Sequence, residues 1–323
     1  MMWSKGFGAD EGFWLGDFAE ARAHADRAME LDDPTRSAES RFRFGVDCRI
    51  CALLYLALAN WQIGEVDEAM RLSQEALTQA TTSGHVPTVA NTGGLKAALD
   101  AARGDAEAAE RTASMVFALS REHGMKFYVA WGEMPLLWAQ GCLGDRAAGA
   151  SKLRQTVANY MAAGHRPLAP LYTGLLAELD AGGPDPNDAP TQIDAAIALA
   201  QQTGERWTDS MLHRIRGEIL LKRYPANPAS AEEAFETAIA VAKRQGSRSF
   251  GLQAALALAK LHQSAGRPAE AQAVLAPEVD GFAPTPEMPE IAEAHALLTA
   301  LEESDEVTAE TARRQRLTQL HVS

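Results

Sequence analysis

Cysteine, aromatic residues and basic side chains are all scarce in this 323-residue chain, which has three cysteines, 7% aromatics and 30 Lys plus Arg against 43 acids. An odd, small cysteine set (Cys48, Cys51, Cys142) does not make a disulfide framework, so a reducing cytoplasm is the expected setting. A net charge of −13 argues against nucleic acid, because a duplex-binding protein needs clustered cations to displace counterions from phosphate. An anionic membrane surface is disfavoured for the same reason. The longest apolar run, Ile50 to Ala59, falls well short of the ~20 residues that span a bilayer, and the opening residues carry no apolar signal segment.

Chemical motifs are missing too. Gly6-Phe7-Gly8 lacks the Lys-Ser/Thr pair and the preceding strand of a phosphate loop. There is no Gly-x-Ser-x-Gly elbow, no His-Glu-x-x-His helix and no calcium loop. Cys48 and Cys51 form a Cys-x-x-Cys pair with no second pair to complete a zinc site, and they lead into an apolar run where cysteine acts as a small hydrophobe. His85, His123 and His165 recur about 40 residues apart. They are metal candidates by number, but as closing-turn residues they read better as partners for free carbonyls at helix ends. Acid pairs such as Asp32-Asp33, Glu232-Glu233 and Glu302-Glu303 read as solvated faces or caps. The sequence therefore points to no enzyme, no cofactor and no metal.

What is present is repetition. Apolar residues make up 46% and charged residues 23%, an ordinary balance for a foldable chain. Glycines fall at 64, 84, 104, 124, 144 and 164, then at 204, 246 and 266, a 20-residue step with one two-residue slip near Tyr224-Pro225-Ala226-Asn227. A glycine just past a helix end closes it in the left-handed conformation, so the step reads as helix, turn, helix, turn. One glycine class precedes an acidic step and an Ala-rich helix, as in Gly64-Glu65-Val66-Asp67-Glu68-Ala69 and Gly104-Asp105-Ala106-Glu107-Ala108-Ala109. The other closes that helix, as in Ser83-Gly84-His85 and Gln245-Gly246-Ser247. Together they define helix pairs A and B with a period of about 40 residues. Small residues recur seven apart in helix B (Ala69 and Ala76, Ala189 and Ala196, Ala231 and Ala238), placing them on one face where another helix can come close.

Gly16-Ala21-Ala28 and Gly64-Ala69-Ala76 carry the Gly turn followed by Ala five and twelve residues later, and here the chain resembles the tetratricopeptide family with about one extra turn per helix. The segments Leu54 to Ala59 with Trp61, Thr203 to Trp207, Leu212 to Leu221 and Ala231 to Phe235 look like the C-terminal helical repeats of large bacterial signalling ATPases, often joined to class III adenylate cyclase domains. The resemblance implies an all-α, right-handed superhelical solenoid of six to seven pairs. It would comprise an incomplete first repeat at 1–40, then repeats at 41–84, 85–124, 125–164, 165–204, 205–246 and 247–282. A closing helix at 287–303 and a polar tail at 304–323 would follow. Residues 1–13 read as a poor helix A, Pro135 as a kink, and 181–187 as a longer loop.

Carrying over the family register, in which helix A lines a concave groove, places Leu54, Trp61, Trp131, Met134, Trp138, Arg214, Glu218 and Lys260 near that groove. Trp and Arg commonly dominate interface energetics, while each Trp alone also suits a core. The expected function is a protein-interaction scaffold or regulatory module. Its partner would be a protein or peptide, by resemblance part of a signalling ATPase or cyclase. The alternative is a sensor that encloses a metabolite near Trp131 and Trp138.

Overall fold

A computed structural model of the chain describes residues 8–31, 37–184 and 186–303. Among them all regular structure is helical. The first pair is α1 (Gly8–Leu15) with α2 (Phe18–Leu31), and α3 (Ser37–Phe44) leads into α4 (Cys48–Gln62) and α5 (Val66–Ser83). Then follow α6 (Val86–Ala102) with α7 (Ala106–Glu122), α8 (Lys126–Leu143) with α9 (Arg146–Ala162), and α10 (Ala169–Ala181) with α11 (Ala189–Thr203). The last pairs are α12 (Asp209–Arg223) with α13 (Ala229–Gln245) and α14 (Arg248–Ser264) with α15 (Pro268–Val279). A final helix, α16, covers 289–303.

The helix ends follow local chemistry. Asp105 and Asp145 each accept a hydrogen bond from the backbone N–H three residues on, at 2.9 and 3.0 Å, satisfying a donor that the first turn leaves free. Proline stands in the first turn of α6, α10, α11 and α15, where its missing N–H costs nothing. Eight of the nine clock glycines have positive φ. Gly144 is the correction, since its φ is −142° and α8 ends without a left-handed turn. Residues 8–15 also depart from expectation. They are helical despite Gly12, and a Cβ there would come within 3.1 Å of the Ala21 backbone N in α2, so that glycine permits close packing. The helix α3 was not foreseen. Pro135 does not end α8, which runs through it.

Burial separates the two layers in every pair from α4 to α15 except α12 with α13, where 6 of 15 and 7 of 17 residues are buried. The A helix α6 buries 15 of its 17 residues, whereas the B helix α5 buries 6 of 18. An amphipathic stripe suits an outer layer; a helix buried nearly all round suits an inner one. The A helices pack in succession, α4 on α6, α6 on α8, α8 on α10, α10 on α12 and α12 on α14. The series then closes, because α14 also packs on α4. The architecture is an all-α helical-repeat solenoid whose inner helices form a ring of six.

Closure rests on named contacts. Trp61 meets Phe250 edge-on with centroids 4.8 Å apart, and Phe13 lies 5.2 Å from Trp207. The Arg206 N–H donates to the Trp14 carbonyl at 2.6 Å, and Gln62 Nε2 donates to the Trp207 carbonyl at 3.4 Å. Beyond the ring, the segment before α16 reaches the end of α6, where Arg103 Nη2 donates to both the carbonyl and the carboxylate of Glu287 at 2.8 Å. Glu287 thus lies before the closing helix instead of starting it. The opening residues 1–7, Asp32-Asp33, Asp185 and the tail 304–323 lie outside the described residues.

Candidate functional site

The ring changes what the inner face offers. Leu54, Trp61 and Met134 are fully buried, and Trp131 nearly so, with its indole N–H donating to Tyr160 Oη at 3.1 Å. These four residues hold the helices together, and the long open groove expected along helix A is filled by such packing. Closure buries Trp61 against Phe250, whereas Trp131 on α8 packs against Gly94 of α6 and Tyr160 of α9.

What remains is a cavity of about 460 Å³ near the C-terminal ends of the inner helices. The other four expected groove residues, Trp138, Arg214, Glu218 and Lys260, all line it. Glu178, Gln253, Glu290 and Glu293 join them, and Leu175, Leu221, Phe235 and Leu256 supply apolar wall. Sequence reading passed over those four polar residues. Gln253 stands seven positions before Lys260 in α14, hence on the same face, and that spacing was the available signal. Glu290 and Glu293 could not be placed without knowing that α16 folds back onto α14.

Charges in the cavity are arranged in pairs. Arg214 Nη1 lies 2.6 Å from Glu218 Oε1, and Lys260 Nζ lies 2.7 Å from Glu293 Oε1. Gln253 Nε2 donates to Glu290 Oε1 at 2.7 Å. Arg103, nearly buried, is committed to Asp100, Asp105 and Glu287. Burial raises the Glu178 carboxyl above its ordinary range, with Arg214 opposing the shift and Glu218 adding to it. Several polar atoms here are buried without a hydrogen-bond partner, namely Gln253 Oε1, Arg214 Nε and Trp138 Nε1. Such atoms are rare in folded proteins and cost stability when left unmet.

The other candidates sort differently. Cys51 is buried and Cys48 partly so, and no disulfide joins them. His85 is the N-cap residue of α6, with Nδ1 2.8 Å from Thr88 Oγ1, and His123 is the C-cap residue of α7. The His165 ring packs on Phe127 and Tyr160. Glu232, His262 and Glu270 bring ligand-type atoms within 4.8 Å of one another. Arg267 already bridges that group, 2.8 Å from Glu232 and 3.1 Å from Glu270, so the charge a cation would meet is taken.

No protein-family model matches this chain, and no curated protein does. Among solved structures, yeast Tom70, a tetratricopeptide-repeat protein, is similar with a TM-score of 0.55 and 13% identity, over 98% of this chain and 69% of that one. That likeness supports the helical-repeat fold. None of the helices among the described residues is long and apolar enough to cross a membrane.

Proposed function

We propose that the chain is a non-catalytic binding module, a scaffold or regulatory unit of a bacterial signalling system whose partner is a protein segment. By sequence resemblance that partner is another part of a signalling ATPase or cyclase. The supporting observation is the axial cavity, a concave site framed by fixed inner helices, with exposed charges of Lys260 and Glu293 at its rim and the Arg214–Glu218 pair further in. Because the inner helices pack together elsewhere, a partner enters by a side chain or a chain end and does not lie along a groove. Fixed helices bind with little reorganisation, which favours affinity per contact.

A second reading has its own support. A volume of about 460 Å³ lies in the range of small-ligand sites, and a half-open cavity of that size also suits a metabolite sensor.

A photo-crosslinking residue at Ser264, on the exposed part of the cavity lining, tests the choice against one at Lys152 on α9. Covalent capture of one protein from Ser264 alone, suppressed by excess unmodified chain, is the expected result. Capture of no protein, with a small molecule retained by the purified chain, would move the function to the sensor.

A further inference from the structure

We infer that the axial cavity binds a basic group on an alkyl stem, an ammonium or guanidinium with a hydrogen-bond acceptor beside it, as a lysine or arginine residue presents them. This deepens the binding reading above and rests on it.

Charge comes first. Arg103 is held by acids outside the lining, so four carboxylates, Glu178, Glu218, Glu290 and Glu293, face two cations, Arg214 and Lys260. Each of those cations already has its carboxylate in Glu218 or Glu293. Among the described residues neither Glu178 nor Glu290 has a cation within ion-pair distance, although Arg214, Lys222 and Arg146 act on Glu178 from further off. A half-buried carboxylate without a close partner, as both are, gains from an incoming cation, because the apolar wall beside it strengthens the attraction.

Hydrogen bonding points the same way. Gln253 is only 8% exposed, its Nε2 is spent on Glu290, and its Oε1 has no donor. An ammonium or guanidinium N–H supplies that donor and reaches the neighbouring Glu290 carboxylate as well. Leu175, Leu221 and Leu256 give an alkyl stem an apolar wall, and Trp138 offers an aromatic ring to a cation. The unmet donors Trp138 Nε1 and Arg214 Nε call for an acceptor on the same ligand. A backbone carbonyl of a lysine or arginine residue is such an acceptor, whereas a plain diamine lacks one.

Calorimetry on the full chain, at near-physiological salt, tests this with four probes: N-acetyl-lysine methylamide, its arginine and glutamate counterparts, and cadaverine. The lysine and arginine probes should bind at one site per chain, cadaverine several-fold more weakly, and the glutamate probe not at all. Glu178→Gln and Glu290→Gln should each weaken the basic probes by about ten-fold, the order of one charge-assisted hydrogen bond. Glu107→Gln, an exposed acid on the outer helix α7, should leave binding unchanged and so controls for overall charge. Melting curves should show both cavity variants folded. A glycine-serine hexapeptide with one lysine binding tighter than the blocked lysine assigns the group to a chain segment, and equal affinity assigns it to a free small molecule. Binding of the glutamate probe instead, silence from both basic probes, or equal weakening by Glu107→Gln would overturn the inference. Silent basic probes with intact capture at Ser264 would remove the basic group and leave the binding function standing.

Discussion

The Ser247 hydroxyl donates to Gln62 Oε1 at 2.6 Å across 185 positions of sequence. The same Gln62 side chain, fully buried, donates through Nε2 to the carbonyl of Trp207. One amide therefore ties the end of α4 to the turns before α12 and before α14. A side chain used at both ends in a dry setting is costly to replace, because its partners cannot turn to water.

Replacing Gln62 with leucine should cost about 1–3 kcal/mol, the usual penalty for leaving a buried polar partner unmet. Hydrogen exchange should quicken in α4 and α14 first, and stay slow in α8 and α9 on the far side of the ring. Adding Ser247→Ala to Gln62→Leu should cost less than the two single effects summed, because one hydroxyl no longer seeks its acceptor. Strict additivity, or loosening spread evenly over all helices, would count against closure through this residue.

The period, the helix pairing and the helix-end glycines were legible because each is written locally, in a glycine, a cap or a small residue at fixed spacing. Closure was not. Nothing within the segments around Trp61 and Phe250 announces that they meet, since long-range packing follows from the summed rotation of every repeat between them. This explains why the eight expected groove residues divide between a cavity lining and a sealed interior. Their placement on helix A rested on local register, but which of them face a cavity depends on how far round the chain winds. Trp138, Arg214, Glu218 and Lys260 lie toward the open end, whereas Leu54, Trp61, Trp131 and Met134 are sealed in by neighbouring helices.

Two glycines that share a role in the sequence differ in the structure, which gives a sharp comparison. Gly104 has φ +83°, where a side chain costs roughly 1–2 kcal/mol, whereas Gly144 has φ −142° and an added Cβ there would stand 3.3 Å from the Gln140 carbonyl oxygen. Gly104→Ala should therefore lower the urea midpoint through its backbone conformation, and Gly144→Ala through its contact with Gln140. The space around Gly104 is open, so its cost is conformational and not steric. A neutral Gly104→Ala would mean that the α6–α7 turn is not left-handed.

Glu205 links the acidity of the medium to the same closure. Its carboxylate accepts the Trp207 indole N–H at 2.9 Å and the Leu168 backbone N–H at 3.0 Å. Leu168 has φ +66°, an uncommon conformation for a non-glycine residue, and this hydrogen bond helps to hold it. Burial pushes the Glu205 carboxyl up to about 7, with the Trp207 and Leu168 hydrogen bonds opposing the shift. A carboxyl raised on folding binds its proton more tightly in the folded chain than in the unfolded one. Its contribution to stability is thus complete below the ordinary value near 4.5 and is lost as pH rises through about 7. Over that window the loss amounts to about 3 kcal/mol. Glu205→Gln carries no titrating proton and should remove this slope, so the stability of wild type relative to the variant should fall from pH 4.5 to 8 in urea titrations. At low pH wild type should be the more stable of the two, because the amide offers Leu168 and Trp207 one acceptor oxygen in place of two. Parallel curves for the two proteins would show that Glu205 keeps an ordinary acidity in the fold. A gap that widened with rising pH would show that the two hydrogen bonds outweigh burial.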